Sequence, residues 1–425
     1  MTSHPKAATP PMGWNSYDCF GGLVTEDEVK ANAEFMAKHL LPCGWEYVVI
    51  DISWQVPEYN ADLTDWSFPL TLDEYGRPMP AENRFPSAVG GRGFKPISDY
   101  VHSLGLKFGI HIMRGLTTQA VDLNTPIFGT DLRAQDIVDR AGTCDWSPHA
   151  IGVDASKPGA REWYESLFAQ YAEWGVDFIK VDDISHPYHK AEIELVRSAI
   201  EKCGREMVLS LSPGPAPIDE ADHLKSNANM WRVSSDFWDR WDCLENAFDL
   251  AEKWAPHAGP GHWPDQDMLP FGRIGIRHHP LNSPDRQSRF TRDEHITLMS
   301  LWCMCRSPLM FGGHLPDTDE WTLALLTNEE VLRFHRDCHS NRQLYRRGDR
   351  IVWTASGNDG GTYLALFNTG EGESEISVEL SELDLRGRVQ VRDLWLRENL
   401  YIADGVLTVV VAPHGARLLS LVQTP

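Results

Sequence analysis

Residues 177–184 hold the side chains best placed for chemistry. They form a short apolar run that stops on Lys-Val-Asp-Asp, which is typical of a buried parallel strand whose last residues emerge at its carboxyl end. Side chains alternate along a strand, so Lys180 and Asp182 point to the same face. Chemistry in parallel α/β folds takes place at this end, and we therefore expect Lys180 and Asp182 to form a pair inside a pocket. The alternative is that Asp182 and Asp183 only cap the following helix.

Polar and aromatic residues also stand at the ends of other apolar segments. They are Trp14, Asn15, Asp51, His111, Arg114, Ser210, Ser212, Arg232, Asp236, Asp265 and Asp267. Two separated carboxylates at one mouth, flanked by Lys and Arg, suit glycoside cleavage, because one attacks the anomeric carbon while the other protonates the leaving oxygen. The 16 tryptophans offer flat surfaces for sugar rings, although any single one also fits core packing.

A fold that brings these strand ends together is indicated by a repeating pattern. Apolar strand candidates recur at residues 13–16, 47–51, 107–112, 178–182, 207–212, 230–235, 262–269 and 308–312. Helical periodicity lies between them, at residues 25–41, 160–174, 187–203, 237–254 and 291–305. Thr25 and Glu28 form a capping box at the start of the first helix. Alternation of strand and helix eight times over predicts a (β/α)8 barrel.

Two excursions and a second domain interrupt this alternation. Residues 56–93 are too long for a βα loop and are rich in Pro, Gly, Asn and aromatics, so we expect them to fold over the catalytic end of the barrel. Residues 280–289 are a shorter excursion. Later β-prone runs lie at residues 351–355, 362–368, 375–380, 388–394, 406–411 and 417–422. We therefore predict a catalytic barrel over residues 1–340 and a C-terminal antiparallel β-sandwich over residues 341–425.

Composition limits the class of partner. The chain has 425 residues, of which 42% are hydrophobic and 24% charged, as in ordinary soluble globular proteins. A formal net charge of -22 argues against nucleic acid and anionic membrane surfaces and favours a neutral or cationic ligand. No segment approaches about 20 uncharged apolar residues, and the first residues hold no apolar core of signal-peptide length. We expect neither a membrane span nor secretion by that route.

Cysteine and histidine spacing bears on metals and on the compartment. The 8 cysteines are scattered without a C-x-x-C pair, which indicates reduced core residues in a cytoplasmic protein. His186 with His189, and the pair His278 and His279, suggest a metal, but this spacing is a weak signal and two carboxylates already supply the chemistry. We expect no catalytic metal and no cofactor. The aromatic-rich insertion and the C-terminal domain offer surfaces for a homo-oligomer.

Six ordered motifs resemble glycoside hydrolase family 27. They are Pro-Pro-Met-Gly-Trp-Asn-Ser-Tyr at 10–17, Ile-Asp at 50–51, Gly-Leu-Lys-Phe-Gly-Ile at 105–110, Lys-Val-Asp at 180–182, Trp-Arg at 231–232 with Asp236, and Trp-Pro-Asp-Gln-Asp-Met-Leu at 263–269. The family comprises retaining α-galactosidases and α-N-acetylgalactosaminidases, with β-L-arabinopyranosidase and isomaltodextranase members. The resemblance implies that Asp182 is the nucleophile and Asp236 the acid/base. It also implies that Lys180 and Arg232 contact sugar hydroxyls.

Three departures from the family bear on the substrate. Where the family commonly has Asp-Asp-Cys-Trp after the second strand, residues 51–54 read Asp-Ile-Ser-Trp, so one of two sugar-gripping carboxylates is missing. The third strand usually runs into Tyr-x-Asp-x-Gly, and here it supplies His111 and Arg114. The fifth-strand loop, which reads the 2-substituent, reads Ser-Leu-Ser-Pro at residues 210–213 instead of Cys-Glu-Trp-Pro. The family's disulfide cysteines near these loops are absent, in agreement with an intracellular setting.

The resemblance implies hydrolysis of terminal non-reducing α-D-galactosyl residues by double displacement, on a small oligosaccharide or glycoside. The expected substrate contacts are Trp14, Asp51, Trp54, His111, Arg114, Lys180, Ser210, Ser212, Arg232 and Asp267.

Three other sugars fit the same site. Ile52 favours a sugar without the hydroxymethyl group, and β-L-arabinopyranose is α-D-galactopyranose without C6. N-acetylgalactosamine ranks third. Arg114 and His111 would supply donors to galactose or to a C6-carboxylate, unless Arg114 simply pairs with a structural Asp. A barrel that binds sugar without cleaving it would not need both carboxylates.

Overall fold

The barrel is closed and has eight parallel strands. The computed structural model describes residues 7–57, 68–277 and 284–424. The strands are Met12–Asn15, Tyr47–Ile50, Lys107–Met113, Phe178–Asp182, Val208–Leu211, Met230–Arg232, Trp263–Asp265 and Leu309–Phe311. Each strand from the first to the sixth pairs with the next, and the first also pairs with the eighth. A bridge between Leu269 and Phe311 joins the eighth strand to the chain after the seventh. The predicted (β/α)8 barrel is confirmed.

Helices separate the strands along the chain. In order, the helices of seven or more residues are Glu26–His39, Lys95–Ser103, Ala160–Glu173, Lys190–Lys202, Ala221–Asn227, Trp241–Trp254, Arg292–Cys305, Glu320–Leu326 and Glu329–Asp337, and a short helix Tyr17–Phe20 follows the first strand. Glu26–His39 begins at its predicted capping box, where the Thr25 N–H donates to Oε2 of Glu28 at 2.9 Å. The helices predicted to start at residues 187 and 237 begin later, at Lys190 and Trp241, because the preceding residues belong to loops at the strand ends.

The chain between the third strand and its helix forms a small sheet that the sequence pattern did not indicate. Its antiparallel strands are Leu116–Thr117, Val138–Thr143 and Ala150–Val153, with short helices Thr118–Asp122 and Ala134–Ile137. These strands are short and show little alternation of apolar and polar residues, so periodicity carries no signal.

Residues 68–93, the larger described part of the predicted excursion, lie beside this sheet and over the loop after the second strand. Gln119 accepts from the Leu70 N–H at 2.8 Å, and Arg84 donates to the Ser53 carbonyl at 2.8 Å. These contacts fix the excursion to the loops that follow strands two and three.

The C-terminal domain is an antiparallel sheet of eight strands. They are Cys338–Arg347, Arg350–Gly357, Thr362–Asn368, Ser374–Glu379, Arg388–Asp393, Glu398–Asp404, Val406–Val411 and Ala416–Gln423. The predicted antiparallel β-domain is confirmed, but the first and sixth strands were not predicted. The first is mostly polar, and the sixth exposes nearly every side chain, so neither shows the alternation of a half-buried strand.

Three hydrophobic cores hold the domains, and the smallest contains Val49, Phe178 and Trp263 of the barrel strands. Trp353 and Phe367 of the C-terminal sheet belong to the same core as the barrel, whereas Leu364 and Leu366 belong to a second core inside the sheet domain. The 8 cysteines are free thiols. Within the described part of the chain, no helix is long and apolar enough to cross a membrane.

Candidate active site

A cavity of about 260 Å³ lies at the carboxyl ends of the barrel strands. Seven of the predicted site residues line it: Asp51, Lys180, Asp182, Ser212, Arg232, Asp236 and Asp267. They come from, or directly follow, the second, fourth, fifth, sixth and seventh strands. The parallel arrangement therefore brings together side chains that are far apart in the sequence.

Asp182 ends the fourth strand and is held by two hydrogen bonds. Its Oδ2 lies 3.0 Å from Nε2 of His111, and its Oδ1 accepts from the Asp183 N–H at 2.8 Å. Burial raises the pKa of Asp182, but the hydrogen bond and charge of His111, the charge of Lys180 and the Asp183 N–H outweigh burial and leave the pKa below its ordinary value. Asp182 is therefore a largely buried, ionised carboxylate, and ionised is the state that a nucleophile requires.

Lys180 and Asp51 form a buried ion pair beside Asp182. The Lys180 Nζ donates to Oδ2 of Asp51 at 2.9 Å, and Asn15 donates to the same oxygen at 2.7 Å. Burial raises the pKa of Asp51, but Lys180 and the surrounding donors hold it well below its usual range. Burial lowers the pKa of Lys180, but the negative charges of Asp51 and Asp182 raise it by more. The net shift of the Lys180 pKa is therefore upward. Both groups are charged at neutral pH and present fixed charges to a bound molecule.

Arg232 joins two carboxylates at the other side of the cavity. Its Nη2 lies 2.7 Å from Oδ2 of Asp267 and 3.3 Å from Oδ1 of Asp236. Burial raises the pKa of Asp267 to about 7 against the opposing charge of Arg232, and Asp236 adds to the rise. The Asp236 side chain is 52% exposed and the Asp182 side chain only 13%. Asp236 thus has the access to water that proton exchange needs.

Several lining residues were not among the predicted contacts. They are Tyr17, Asp18, Ile52, Trp146, Pro213, Gly214, Ser235, Phe237, Trp238 and Met268. Most lie within three residues of a predicted one, so the motifs contained a signal for them. Trp146 had none, because it belongs to the segment between the strands of the unpredicted small sheet. Its 43% exposure makes its ring available to a sugar at the rim of the cavity.

Five predicted contacts lie outside this cavity. The Trp14 indole donates to the Gly313 carbonyl at 2.8 Å and the Trp54 indole to the His111 carbonyl at 2.6 Å, so both indoles are satisfied within the barrel core. Trp54, His111 and Arg114 line a separate cavity of about 50 Å³. His111 contacts the lining of the large cavity through its hydrogen bond with Asp182.

Arg114 and Ser210 are also among the five predicted contacts outside the large cavity, each for a different reason. Arg114 lies 2.7 Å from Oδ2 of Asp183 and 2.7 Å from Oε1 of Glu192, which is the structural pairing that the sequence left open. Ser210 is buried one step deeper in the barrel than Ser212, because residues two apart on a strand share a face but differ in depth.

The histidines do not assemble a recognisable metal site where the structure describes them. Among residues 7–57, 68–277 and 284–424, no group of three or more His, Cys, Asp or Glu side chains is arranged to hold a metal ion. Burial lowers the pKa of His189 to about 4. His278 and His279 lie outside the described residues.

Family models match both domains. Residues 150–337 match the model described as alpha galactosidase A, and residues 347–421 match the alpha galactosidase C-terminal beta sandwich domain. Alpha-galactosidase 2 of Arabidopsis thaliana is 26% identical over 424 residues, which cover 98% of this chain and 90% of that protein. The C-terminal match spans most of the antiparallel sheet.

Solved structures extend the match to the whole chain. A GH27 β-L-arabinopyranosidase from Geobacillus stearothermophilus, solved with arabinose, is 54% identical, has a TM-score of 0.97 and covers 99% of this chain and 98% of its own. A Bacillus halodurans protein assigned as an α-N-acetylgalactosaminidase is 49% identical, with a TM-score of 0.90 and coverage of 99% and 98%. The resemblance carried by the six motifs is confirmed. This chain belongs to the α-galactosidase-like glycoside hydrolase family 27 and is a glycoside hydrolase.

Proposed function

We propose that this enzyme is a retaining exo-glycosidase for terminal sugars of the α-D-galactopyranosyl configuration, and that Asp182 is its nucleophile. The observation that carries the proposal is the environment of Asp182, which is largely buried and ionised, with a hydrogen bond to each carboxylate oxygen. Asp236 is the proposed acid/base, since it is exposed at the same cavity. Lys180 and Arg232 are the proposed contacts to sugar hydroxyls.

The reaction takes two displacements. The Asp182 carboxylate bonds to the anomeric carbon while the bond to the leaving oxygen breaks, and Asp236 gives that oxygen its proton. Asp236 then takes a proton from water, the water oxygen bonds to the anomeric carbon, and Asp182 is released. Two inversions leave the anomeric configuration unchanged. No cofactor is needed to balance either step.

Ile52 supports a preference within this class of sugars. It lines the cavity directly after Asp51, which is paired with Lys180. In the family, paired Asp residues at this place grip the axial 4-hydroxyl and the 6-hydroxyl of galactose, and Ile52 replaces one of them with a side chain that cannot accept a hydrogen bond. Losing a hydrogen bond to a charged group costs ~1.5–3 kcal/mol, or roughly ten- to a hundredfold in rate. β-L-Arabinopyranose has no C6, so it has no 6-hydroxyl and loses no hydrogen bond when this Asp is absent.

We therefore rank β-L-arabinopyranosides above α-D-galactosides as substrates of this pocket. The 54% identity to a β-L-arabinopyranosidase supports the order, and the curated α-galactosidases at 26–29% identity support galactoside hydrolysis as the second activity. An α-N-acetylgalactosaminide ranks third. Ser212, Pro213 and Gly214 line the cavity, in the fifth-strand loop that reads the 2-substituent in the family.

Four nitrophenyl glycosides test the proposal: β-L-arabinopyranoside, α-D-galactoside, α-N-acetylgalactosaminide and α-D-galacturonide. We expect the first to have the highest kcat/KM. Ile52→Asp should shift the ratio toward α-D-galactoside by about tenfold, and the apolar control Ile52→Val should leave it unchanged. Cleavage of none of the four would show that the substrate class is wrong. A higher kcat/KM for galactoside in the wild type would overturn the order.

We also propose a cytoplasmic location, supported by the 8 free thiols, with a small imported glycoside as the substrate. Fractionation that places the protein outside the cell would contradict it. Assembly as a homo-oligomer stays a prediction, and light scattering that gives a clean monomer at micromolar concentration would contradict it.

A further inference from the structure

Asp183, which follows the proposed nucleophile, has an uncommon backbone conformation. Its φ is 57°, in the left-handed region that residues with a side chain seldom adopt. In this conformation the Asp183 N–H donates to Oδ1 of Asp182 at 2.8 Å. Sparsely populated conformations persist only where the surroundings enforce them. The contacts of Asp183 must therefore enforce its conformation.

Arg114 enforces this conformation from the end of the third strand. Its Nε donates to the carbonyl oxygen of Asp183 at 2.7 Å, and its Nη2 donates to Oδ2 of the same residue at 2.7 Å. The backbone N–H of Arg114 donates to the carbonyl oxygen of Asp182 at 3.0 Å. These bonds hold the carbonyl groups of both residues. They therefore restrict the rotation that would turn the Asp183 N–H away from Asp182.

Arg114 is itself fixed by the small sheet and the helices beside it. Its Nη1 donates to Oε1 of Glu192 at 2.7 Å, and Oε2 of Glu192 accepts from the Tyr164 hydroxyl at 2.5 Å. A Cβ at Gly152 would lie 2.3 Å from Nη1 of Arg114, so the sheet leaves space for the guanidinium only because glycine stands there. Arg114 is 1% exposed. Its position is therefore restricted by hydrogen bonds and by packing.

We infer that Arg114 and Asp183 form a clamp that positions the nucleophile by holding the Asp183 N–H against Oδ1 of Asp182. Neither residue lines the large cavity, so both act through Asp182 and are positioning residues. His111 holds the other oxygen, and the two contacts together fix the orientation of the carboxylate. The inference rests on the proposed function, because it assigns a role to a contact of Asp182.

The test measures kcat, KM and the pH dependence of kcat/KM with nitrophenyl β-L-arabinopyranoside. Asp183→Ala removes the carboxylate that Arg114 binds and disfavours a positive φ. We expect kcat/KM to fall roughly tenfold or more, with most of the change in kcat. The acidic limb should lie at higher pH than that of Asp183→Asn, which removes the same negative charge beside Asp182 but keeps the backbone conformation. Asp183→Asn should stay within about threefold of the wild type, because asparagine tolerates this conformation and its amide oxygen accepts from Arg114.

Asp384 provides a matched control. It is an exposed aspartate in the C-terminal domain with a φ of 58°, so Asp384→Ala repeats the backbone change away from the cavity. It should alter neither kcat/KM nor the pH profile. Arg114→Lys keeps the positive charge but loses the paired guanidinium donors that bind Asp183. It should move the acidic limb of the kcat/KM profile to higher pH. This variant decides the question if Asp183→Ala does not fold.

A lower melting temperature with an unchanged pH profile and unchanged kcat/KM in Asp183→Ala and Arg114→Lys would overturn the clamp. The proposed function is tested separately by Asp182→Ala. An active Asp182→Ala enzyme would contradict the proposed function. An inactive one, together with normal Asp183→Ala and Arg114→Lys enzymes, would contradict the clamp alone.

Discussion

The Nε2 atom of His111 lies 3.0 Å from Oδ2 of Asp182, and the His111 side chain is 2% exposed. The third strand pairs with the fourth so that His111 stands opposite Lys180. The imidazole therefore reaches the Asp182 carboxylate from deeper in the barrel, outside the large cavity. Position 111 is one of the departures from the family, which usually has Tyr here.

His111→Phe should impair the first displacement. A hydrogen bond to a charged group contributes ~1.5–3 kcal/mol, so we expect kcat/KM to fall about ten- to a hundredfold. The contact lowers the pKa of Asp182, and its loss should move the acidic limb of the kcat/KM profile to higher pH. His102→Phe is the control, because His102 contacts Asp177 at 2.7 Å away from the cavity. Equal effects of the two substitutions would refute the role given to His111.

The Lys180–Asp51 pair should dominate stability at the site. Lys180→Met leaves Asp51 buried without its cation, and breaking such a pair costs about 3–5 kcal/mol in the free energy of unfolding. The double variant Lys180→Met with Asp51→Asn removes the charge that would otherwise be left unpaired at Asp51. It should recover most of the stability but not the activity. Urea unfolding and kcat/KM measure the two quantities, and a double variant no more stable than Lys180→Met would contradict this account.

Asp18→Asn should stabilise the protein at alkaline pH. Burial raises the pKa of Asp18 well above its ordinary value, and Asp267 adds to the rise against the opposing charge of Lys180. The folded state therefore binds this proton more tightly than the unfolded state. The stability that this binding confers is complete below the unfolded pKa and is lost as pH rises through the folded pKa.

The expected signature is a difference in melting temperature that depends on pH. Asparagine carries no proton to lose, so Asp18→Asn should melt higher than the wild type at pH 8. The gap should close near pH 3, where the aspartic acid is neutral in both states. A variant that melts lower than the wild type at pH 8 would contradict the assignment.

Much of the fold follows from local patterns, whereas depth within the barrel does not. Alternating strands and helices predicted the closed barrel, and motifs at strand ends predicted Asp182 and Asp236 at one cavity. Trp14 and Trp54 carry the same kind of signal, yet their indoles donate to carbonyls in the core. Strand periodicity gives the face of a residue but not its height above the barrel floor.

Other features depend on contacts between distant residues. Trp146 reaches the rim of the cavity on a segment of the small sheet, and that sheet is held through Arg114 and its partners. No sequence window contains both ends of these contacts. The pairing of Arg114 with Asp183 was left open by the sequence for the same reason.

Chemical rescue of Asp182→Ala tests the central claim most directly. With nitrophenyl β-L-arabinopyranoside, kcat/KM should fall by at least roughly a thousandfold. Added azide should restore turnover by attacking the face that Asp182 vacated. NMR should then identify the α-L-arabinopyranosyl azide, the product of a single inversion, whereas Asp236→Ala with azide should give the β-anomer. An active Asp182→Ala enzyme, or a rescued product of retained configuration, would contradict the assignment of Asp182 as the nucleophile.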